Sequence, residues 1–177
     1  MPLIRLIKAI WRLHIEKSGS NPKIKYFRKQ GMKIGGGCFI NTMSFSEPYL
    51  IELGDHVTVA EGTFFITHDA GIGCFSVEFP GDDIFGKIKI GNNVFIGVNC
   101  IILSNTTIRD NCIIGAGSVV RGKFPENSVI LGNPAQVVTN MNVQKLLYKQ
   151  NPGRLRTANL VFKEKELIVK KHFSNNK

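Results

Sequence analysis

The chain has 177 residues, 43% of them hydrophobic and 20% charged, which is the composition of one folded domain and not of a disordered chain. Its net charge of +10 is unevenly distributed, with +8 over residues 1–33, −5 over residues 34–140 and +7 over residues 141–177. Such a charge favours a polyanionic partner, but no nucleic-acid-reading motif is present, and we expect no nucleic-acid partner.

Residues 1–33 are predicted to be a basic, amphipathic N-terminal helical segment. Over residues 3–16, apolar residues at helical spacing alternate with Arg5, Lys8 and Arg12. These cations interrupt the apolar run too often for a secretory signal or a membrane span. We expect the helix to cap the folded core or to line a binding pocket, and a peripheral contact with an anionic membrane is the alternative.

A six-residue repeat runs through residues 34–138. From residue 90 onwards, every sixth residue is a β-branched aliphatic one: Ile90, Ile96, Ile102, Ile108, Ile114 and Val120. Glycine or another small residue often follows the aliphatic residue directly, which accounts for part of the 18 glycines. Because six residues suit neither a strand nor a helix as a continuous element, the repeat predicts a short strand plus a corner, with three such units closing a triangular coil.

The repeat also predicts which side chains lie inside the coil. Small or β-branched residues recur four positions after the aliphatic ones, among them Cys38, Cys100 and Cys112, and we expect these thiols to be buried packing residues and not metal ligands. Gly, Asn and Asp near the corners would supply the dihedral angles of sharp turns. The predicted fold class is all-β, with stacked parallel strands around one core. A β-sandwich with fortuitous spacing is the alternative.

The repeat breaks at Asp69, which takes a position that should be small and inward-facing. Residues 69–86 are predicted to be an extruded loop, and loops of this length in a compact domain are usually functional. A shorter insertion lies at residues 46–52. His68 sits in an outward-facing position at the base of the long loop and is therefore the candidate functional histidine.

Residues 139–177 are predicted to form a basic C-terminal helical tail. A helical stretch starts at Val143 and is interrupted at residues 151–153 (Asn-Pro-Gly), and a second apolar and basic stretch covers residues 160–173. This tail is expected to fold over the last coil or onto a neighbouring subunit.

Residues 88–97, 114–120 and 125–135, with an Ile-Gly-Ala-Gly-Ser-Val-Val run and a Gly-Asn-Pro-Ala ending, resemble the hexapeptide-repeat acetyltransferases. The similarity covers roughly residues 25–138 and is greatest to the sugar O-acetyltransferases of bacterial surface-polysaccharide pathways and of the maltose and galactoside type. It implies a left-handed parallel β-helix, a homotrimer with active sites between neighbouring prisms, and acetyl-CoA as co-substrate without a metal.

The resemblance also implies roles for single residues. His68, in Thr67-His68-Asp69, would be the general base that takes a proton from the acceptor hydroxyl, which then attacks the thioester directly. Asp69 would orient the imidazole, with Glu61, Asp82 and Asp83 as alternatives. Residues assigned to the co-substrate are Gly97 and Val98, whose turn would supply the oxyanion donor, together with Ala116, Arg121 and Lys123. Residues assigned to the acceptor are Asn41, Asp82 and Asp83.

Three classes of function compete at this point. The first is acetyl transfer to a small-molecule or lipid-linked saccharide, with serine or a nucleotide-linked amino sugar as alternative acceptors. Both alternatives are disfavoured because enzymes acting on them often carry a larger N-terminal domain. A zinc hydratase on the same prism needs three histidine ligands, and the coils contain only His56 and His68. A non-catalytic scaffold is the third class. The four cysteines form no CxxC pair, which argues against a structural zinc site. A reducing cytoplasm is the expected compartment, with membrane-peripheral placement as a variant.

Overall fold

The computed structural model describes residues 11–174 of the chain. Its contacts divide into two compact units, Met1–Met141 and Asn142–Lys177. Residues 11–16 are helical, so the described part of the predicted N-terminal helix agrees with its pattern, whereas residues 3–10 lie outside the described range. None of the described helices is long and apolar enough to cross a membrane.

Most of the first unit consists of very short strands. After helix α1 (Ser20–Lys29), the strands are β1 (Lys33–Ile34), β2 (Phe39–Ile40), β3 (Ile51–Leu53), β4 (Thr58–Val59), β5 (Phe64–Phe65), β6 (His68–Asp69), β7 (Ile84–Phe85), β8 (Ile88–Ile90), β9 (Phe95–Ile96), β10 (Ile101–Ile102), β11 (Thr106–Ile108), β12 (Ile113–Ile114), β13 (Val119–Val120), β14 (Lys123–Phe124), β15 (Ser128–Gly132) and β16 (Ala135–Asn140).

These strands form three sheets that correspond to the three sides of a coil. The first sheet has the order β1-β3-β8-β11-β14, the second β16-β15-β12-β9-β4-β2, and the third β13-β10-β5. Within these three sheets, which leave out β6 and β7, pairing is parallel except between β15 and β16. The strand partners Ile90↔Ile108, Ile96↔Ile114 and Ile102↔Val120 are each three hexads apart, which confirms the predicted repeat.

The core follows the repeat. Every aliphatic position from Ile90 to Val120 is buried, as are Cys100 and Cys112, whereas Cys38 is only partly buried. Burial raises the pKa of the Cys100 and Cys112 thiols, so both stay protonated at neutral pH. At the first coil, Phe27 of α1 contacts Phe45, and Phe45 stacks on Phe65, with centroid distances of 4.6 and 4.7 Å. Helix α1 therefore covers the open end of the prism.

The corners require two different kinds of residue. Left-handed φ angles occur at asparagines spaced six apart, Asn93, Asn99, Asn105 and Asn111, with φ between 54 and 61°, and at corner glycines such as Gly62 and Gly117. The glycines that directly follow the aliphatic residues have ordinary φ angles and are needed for close approach of successive coils. A Cβ on Gly97, for example, would lie 2.7 Å from the backbone nitrogen of Ala116. The expectation that Gly and Asn supply the turn dihedrals therefore holds for the asparagines and for other glycines at the corners, but not for the glycines that directly follow the aliphatic residues.

Two segments depart from the coils. Strands β6 and β7 pair antiparallel and are joined by a loop that begins with a 3-10 helix, Ala70–Phe75. The loop exposes Phe75 and Phe79, whose rings contact each other edge to face. The shorter insertion contains a second 3-10 helix, Pro48–Leu50, with Glu47 at the N-cap position and no capping hydrogen bond from its side chain. The isolated bridge Phe45↔Phe65 brings the start of this insertion beside the strand that leads to the long loop.

The C-terminal segment contains helices α2 (Met141–Gln150) and α3 (Phe162–Ser174). Within the second unit, the His172 imidazole lies 2.8 Å from the Pro152 carbonyl oxygen, and Gly153 N–H donates to the side chain of Asn151. The Asn-Pro-Gly sequence thus lies in the turn that separates the two helices.

Candidate active site

His68 lies on β6, where the chain leaves the prism at the edge between the third and the first sheet. Its side chain is 43% exposed. The imidazole Nδ1 is 3.2 Å from Glu47 Oε1 and 3.1 Å from Oε2. The Glu47 carboxylate, which belongs to the shorter insertion, is therefore held at the Nδ1 edge of the exposed imidazole.

Glu47 is held by Thr67, the buried residue that precedes the histidine. The Thr67 hydroxyl donates to Glu47 Oε2, and the Glu47 backbone N–H donates to the same hydroxyl oxygen. Partial burial pushes the pKa of Glu47 upward, but the hydrogen bonds from Thr67 and His68 outweigh it and leave this pKa below its usual value. Glu47 is consequently ionised at neutral pH.

The ionised carboxylate determines the tautomer that suits this site. A neutral imidazole that faces a carboxylate through Nδ1 carries its hydrogen there and donates it to the oxygens. The Nε2 nitrogen then has a free lone pair. This arrangement can accept a proton from a hydroxyl group at Nε2 while the carboxylate stabilises the imidazolium that forms.

The residue expected to orient the imidazole, Asp69, has a different set of partners. Its carboxylate accepts a hydrogen bond from Gly71 N–H and caps the 3-10 helix. The Arg121 guanidinium lies 3.8 Å from the same carboxylate and 3.5 Å from the Ser104 hydroxyl. Glu47, and not Asp69, is the carboxylate in contact with His68.

The other acids considered for that role also lie elsewhere. Asp82 and Asp83 are exposed near the end of the long loop, and neither makes a hydrogen bond or ion pair with His68. Glu61 lies at the edge between the second and the third sheet, where its carbonyl accepts from Asn99 N–H. The structure therefore does not bring these three carboxylates to the imidazole within one chain.

His68 borders an open cleft of about 440 Å³. Its walls combine serine hydroxyls with Arg12, Glu47 and the side chains of Phe64 and Phe65. Met43 and Ser44 line this cleft and also line a smaller polar pocket that contains Asn41, the predicted acceptor residue. Asn41 is thus placed beside the histidine cleft, one pocket away from the imidazole.

Gly97, Val98 and Ala116 come together at another edge of the prism, between the second and the third sheet. The Gly97 N–H donates to the Ile114 carbonyl, so it is already used within the coil. The N–H groups of Val98 and Ala116 have no acceptor among residues 11–174. Both residues are exposed, so this corner combines two backbone N–H groups that have no acceptor among the described residues with a surface position.

The two cations predicted for the co-substrate are separated. Arg121 lies near Asp69, whereas Lys123 lies on the outer face of the first sheet. Lys123 lines a groove of about 470 Å³ together with Arg109, Thr107, Phe124 and Pro125. The sequence analysis did not assign Arg109 to the co-substrate. Its neighbour in the groove, Lys123, is 14 positions away along the chain, so no local pattern connects the two cations.

The outward side chains differ among the three sheets. On the first sheet they are mostly charged: Lys33, Glu52, Lys89, Thr107 and Lys123. On the second they are mostly apolar: Phe39, Thr58, Phe95, Ile113 and Val129. On the third all are apolar: Phe64, Ile101 and Val119. Two sides of the prism therefore carry outward apolar rows. Phe39, Phe64 and Phe95 are about half exposed to solvent, whereas the aliphatic members are partly buried and Val129 is buried.

No group of three or more His, Cys, Asp or Glu side chains within the described residues has an arrangement that could hold a metal ion. His56 has a left-handed φ of 56° at a corner. Its imidazole is packed against Gly37 of the preceding coil. Its position is explained by the corner alone.

Comparisons with known proteins agree with this architecture. The family described as bacterial transferase hexapeptide (six repeats) matches residues 87–122. Protein CapG of Staphylococcus aureus is 40% identical over 97% of this chain and 99% of its own length. The galactoside O-acetyltransferase of Escherichia coli (strain K12) is 31% identical over 77% of this chain and 68% of its own length.

The chain belongs to the hexapeptide-repeat acetyltransferase family. Its predicted membership of this family and the predicted acyltransferase class are confirmed. A solved galactoside acetyltransferase in complex with coenzyme A shares the fold, with a TM-score of 0.57 at 22% identity, over 88% of this chain and 90% of that one.

In this hexapeptide-repeat acetyltransferase, His68 stays the predicted base, and Glu47 is the residue beside it that the sequence reasoning did not single out. The signal that could have identified it is the shorter insertion itself. Glu47 is its second residue, and the insertion interrupts the repeat one coil before the long loop does. An interruption of a regular repeat is expected to be functional when it lies beside another one, as it does here.

Proposed function

We propose that this chain is an acetyl-CoA-dependent O-acetyltransferase that moves an acetyl group onto a saccharide hydroxyl, in the modification of a surface polysaccharide. The observation that carries the proposal is the exposed His68 imidazole held at Nδ1 by the ionised Glu47 carboxylate. We also infer that the coils wind left-handed, as is typical of this family.

The proposed proton movements follow from the two nitrogens of His68. Nε2 takes the proton of the acceptor hydroxyl while its oxygen forms a bond to the thioester carbonyl carbon, and the C–S bond then breaks. The same proton is returned from Nε2 to the departing thiolate. Glu47 keeps the hydrogen on Nδ1 throughout and stabilises the transient imidazolium, so it acts as a positioning and electrostatic residue.

The co-substrate is supported by the exposed corner at Gly97, Val98 and Ala116. The two unused N–H groups there are of the kind that stabilises a developing oxyanion, and the small side chains leave room for an extended thioester arm. Lys123 and Arg109 present two cations in one groove, which suits the phosphate groups of a nucleotide.

The positions of these groups support the proposed homotrimer, because they favour a site shared between two copies of the chain. Val98 and His68 are at opposite edges of the third sheet, and about five residues of extended chain, at roughly 3.3 Å each, separate those edges. A base and an oxyanion donor acting on one carbonyl must both approach it to about 3 Å. His68 of one chain would therefore act with the Val98 corner of a second copy, which also buries the apolar rows.

The acceptor is proposed to enter the His68 cleft, with Asn41 beside it. Asp82 and Asp83, at the end of the long loop, would contact the acceptor only from a neighbouring subunit. A cleft open to solvent suits a sugar residue within a larger or lipid-linked saccharide, because only the reacting ring has to be enclosed.

The experiment is thiol release from acetyl-CoA across a panel of saccharides, with His68→Ala beside the wild type. Loss of a general base should lower kcat by about 10²- to 10⁴-fold. His14→Ala is the matched control, because His14 is an exposed histidine outside the cleft, and it should leave the rate unchanged. Full activity of His68→Ala with the best acceptor would refute the assignment.

The intersubunit site has a test of its own. Ala116→Glu places a negative charge at the proposed co-substrate corner and should be inactive, as should His68→Ala. When the two variants are refolded together at equal amounts, a shared site predicts that about a quarter of the sites regain both intact halves. A mixture that remains inactive while forming mixed oligomers would show that each site belongs to one chain.

A further inference from the structure

Lys23 is a buried cation that has almost no partner. It lies on α1 and its side chain is only 4% exposed. Among residues 11–174, its Nζ makes one hydrogen bond, to Asn41 Oδ1 at 3.3 Å, and no carboxylate of these residues lies within ion-pair distance. A buried ammonium with two unused N–H donors is costly unless a ligand can accept them.

The Lys23 ammonium borders a polar pocket of about 280 Å³, which we call the Lys23 pocket. Its lining is Glu16, Lys23, Asn41, Thr42, Met43, Ser44, Glu61 and Gly62. Glu16 and Glu61 face the same space, yet neither carboxylate pairs with Lys23 or with any other residue in the described part of the chain. The pocket thus presents hydrogen-bond donors and acceptors that do not satisfy one another.

The position of the Lys23 pocket connects it to the reacting centre. Met43 and Ser44 line both this pocket and the His68 cleft, so a ligand can extend from one into the other. Thr42 is not free to contribute, because its hydroxyl already donates to the Thr63 carbonyl and accepts from Ser44 N–H. The available polar atoms are therefore those of Lys23, Asn41, Ser44 and the two glutamates.

We propose that Lys23 is an acceptor-binding residue and that its pocket selects an uncharged, polyhydroxylated sugar ring. This inference rests on the proposed function, in which the same acceptor presents a hydroxyl to His68. Each ring hydroxyl can accept a hydrogen bond from Lys23 and donate one to Glu61 or Glu16. A sugar acid would instead add a negative charge to a pocket that already holds two carboxylates and one ammonium.

The test is isothermal titration calorimetry of the full chain with methyl glycosides of neutral hexoses and with the corresponding hexuronates. Loss of hydrogen bonds from a charged donor should weaken binding of the best neutral glycoside by about ten- to a hundredfold in Lys23→Met. Lys25→Met is the matched control, since Lys25 is an exposed lysine of the same helix outside the pocket, and it should bind as the wild type does.

A second variant covers the case in which Lys23→Met does not fold. Glu61→Gln alters an exposed side chain and removes one of the two negative charges. Glu61→Gln should weaken the binding of neutral glycosides. It should also reduce, by about fivefold or more, the ratio of the affinity for neutral glycosides to the affinity for hexuronates. The proposal is overturned if no neutral glycoside binds saturably, if hexuronates bind the wild type as tightly, or if neither variant changes the affinities.

Calorimetry also separates this proposal from the catalytic one. His68→Ala should keep glycoside affinity within about twofold, because His68 is outside the Lys23 pocket, and should lose acetyl transfer. Binding that depends on Lys23 without any acetyl transfer in the wild type would refute the proposed reaction alone. Acetyl transfer with an affinity unaffected by Lys23→Met would refute the role of Lys23 alone.

Discussion

Glu47→Gln is the substitution that most directly tests how the imidazole is held. Glutamine has nearly the same shape as glutamate, and its carbonyl oxygen can still accept the Nδ1 hydrogen of His68. The substitution therefore preserves the contact geometry and removes the negative charge, which lies 3.1 Å from Nδ1. It separates electrostatic stabilisation of the imidazolium from simple support of the loop.

The expected loss follows from that distance. Opposite unit charges 3.1 Å apart attract by about 1 to 5 kcal/mol for effective dielectric constants from that of water down to about 20. The two side chains are 43% and 21% exposed, so the value is near the aqueous limit, at about 1 to 2 kcal/mol. If the transition state contains an imidazolium, kcat should fall by about 5- to 30-fold.

The assay is steady-state thiol release with acetyl-CoA and the best saccharide, with kcat and both KM values measured separately. Glu47→Gln should lower kcat and leave both KM values within about twofold, because ground-state binding does not use the charge. Glu52→Gln is the control, since Glu52 ends the same insertion but pairs with Lys33 on the outer face of the first sheet. An unchanged kcat, or a loss confined to KM, would refute the electrostatic role of Glu47.

Three further predictions concern stability and the proposed co-substrate corner. Thr67→Val should lower the free energy of unfolding, measured by urea denaturation, by about 1 to 3 kcal/mol, because it removes both hydrogen bonds to Glu47; an unchanged midpoint would contradict this. Because the pKa of Glu47 is lowered on folding, the stability that its negative charge gives wild type over Glu47→Gln should be present above about pH 5 and should disappear as the pH falls through that lowered pKa; a difference that persists undiminished in strong acid would be inconsistent. Gly97→Ala should cost about 1 to 3 kcal/mol and raise the KM for acetyl-CoA, because its Cβ would meet the Ala116 backbone at 2.7 Å, whereas Gly73→Ala, with open space around it, should do neither.

The coils were predictable because their signal is local and repeated. Each hexad is an independent instance of the same rule, so the buried positions from Ile90 to Val120 could be assigned from spacing alone. The structural role of each glycine was harder to predict from the sequence. Whether Gly97 is needed for its φ angle or for close packing depends on the residue stacked on it, which lies on the next coil at Ala116. Sequence spacing predicts the neighbour but not the distance.

The residues around His68 were harder to predict, since no spacing rule connects them. Arg121 was expected near a nucleotide, yet its guanidinium lies beside Asp69, because both residues occur at the same corner of the stacked coils. Lys23 lies in a segment of many cations and no sequence pattern separates it from them, whereas its burial distinguishes it from all the other cations that the structure describes. The surroundings of both side chains are set by residues that are distant in sequence and are brought close by folding.

The two interruptions of the repeat form one site. A parallel β-helix places residues of adjacent coils directly above one another, so two insertions that leave the same edge in successive coils must emerge side by side. Phe45↔Phe65 is the bridge that sets this register, and two residues beyond it on each strand the chain reaches Glu47 and Thr67. His68 follows immediately and meets the carboxylate. In a hexapeptide-repeat protein, the orienting acid of a histidine should therefore be sought first in the neighbouring interruption of the repeat, before the residues adjacent in sequence.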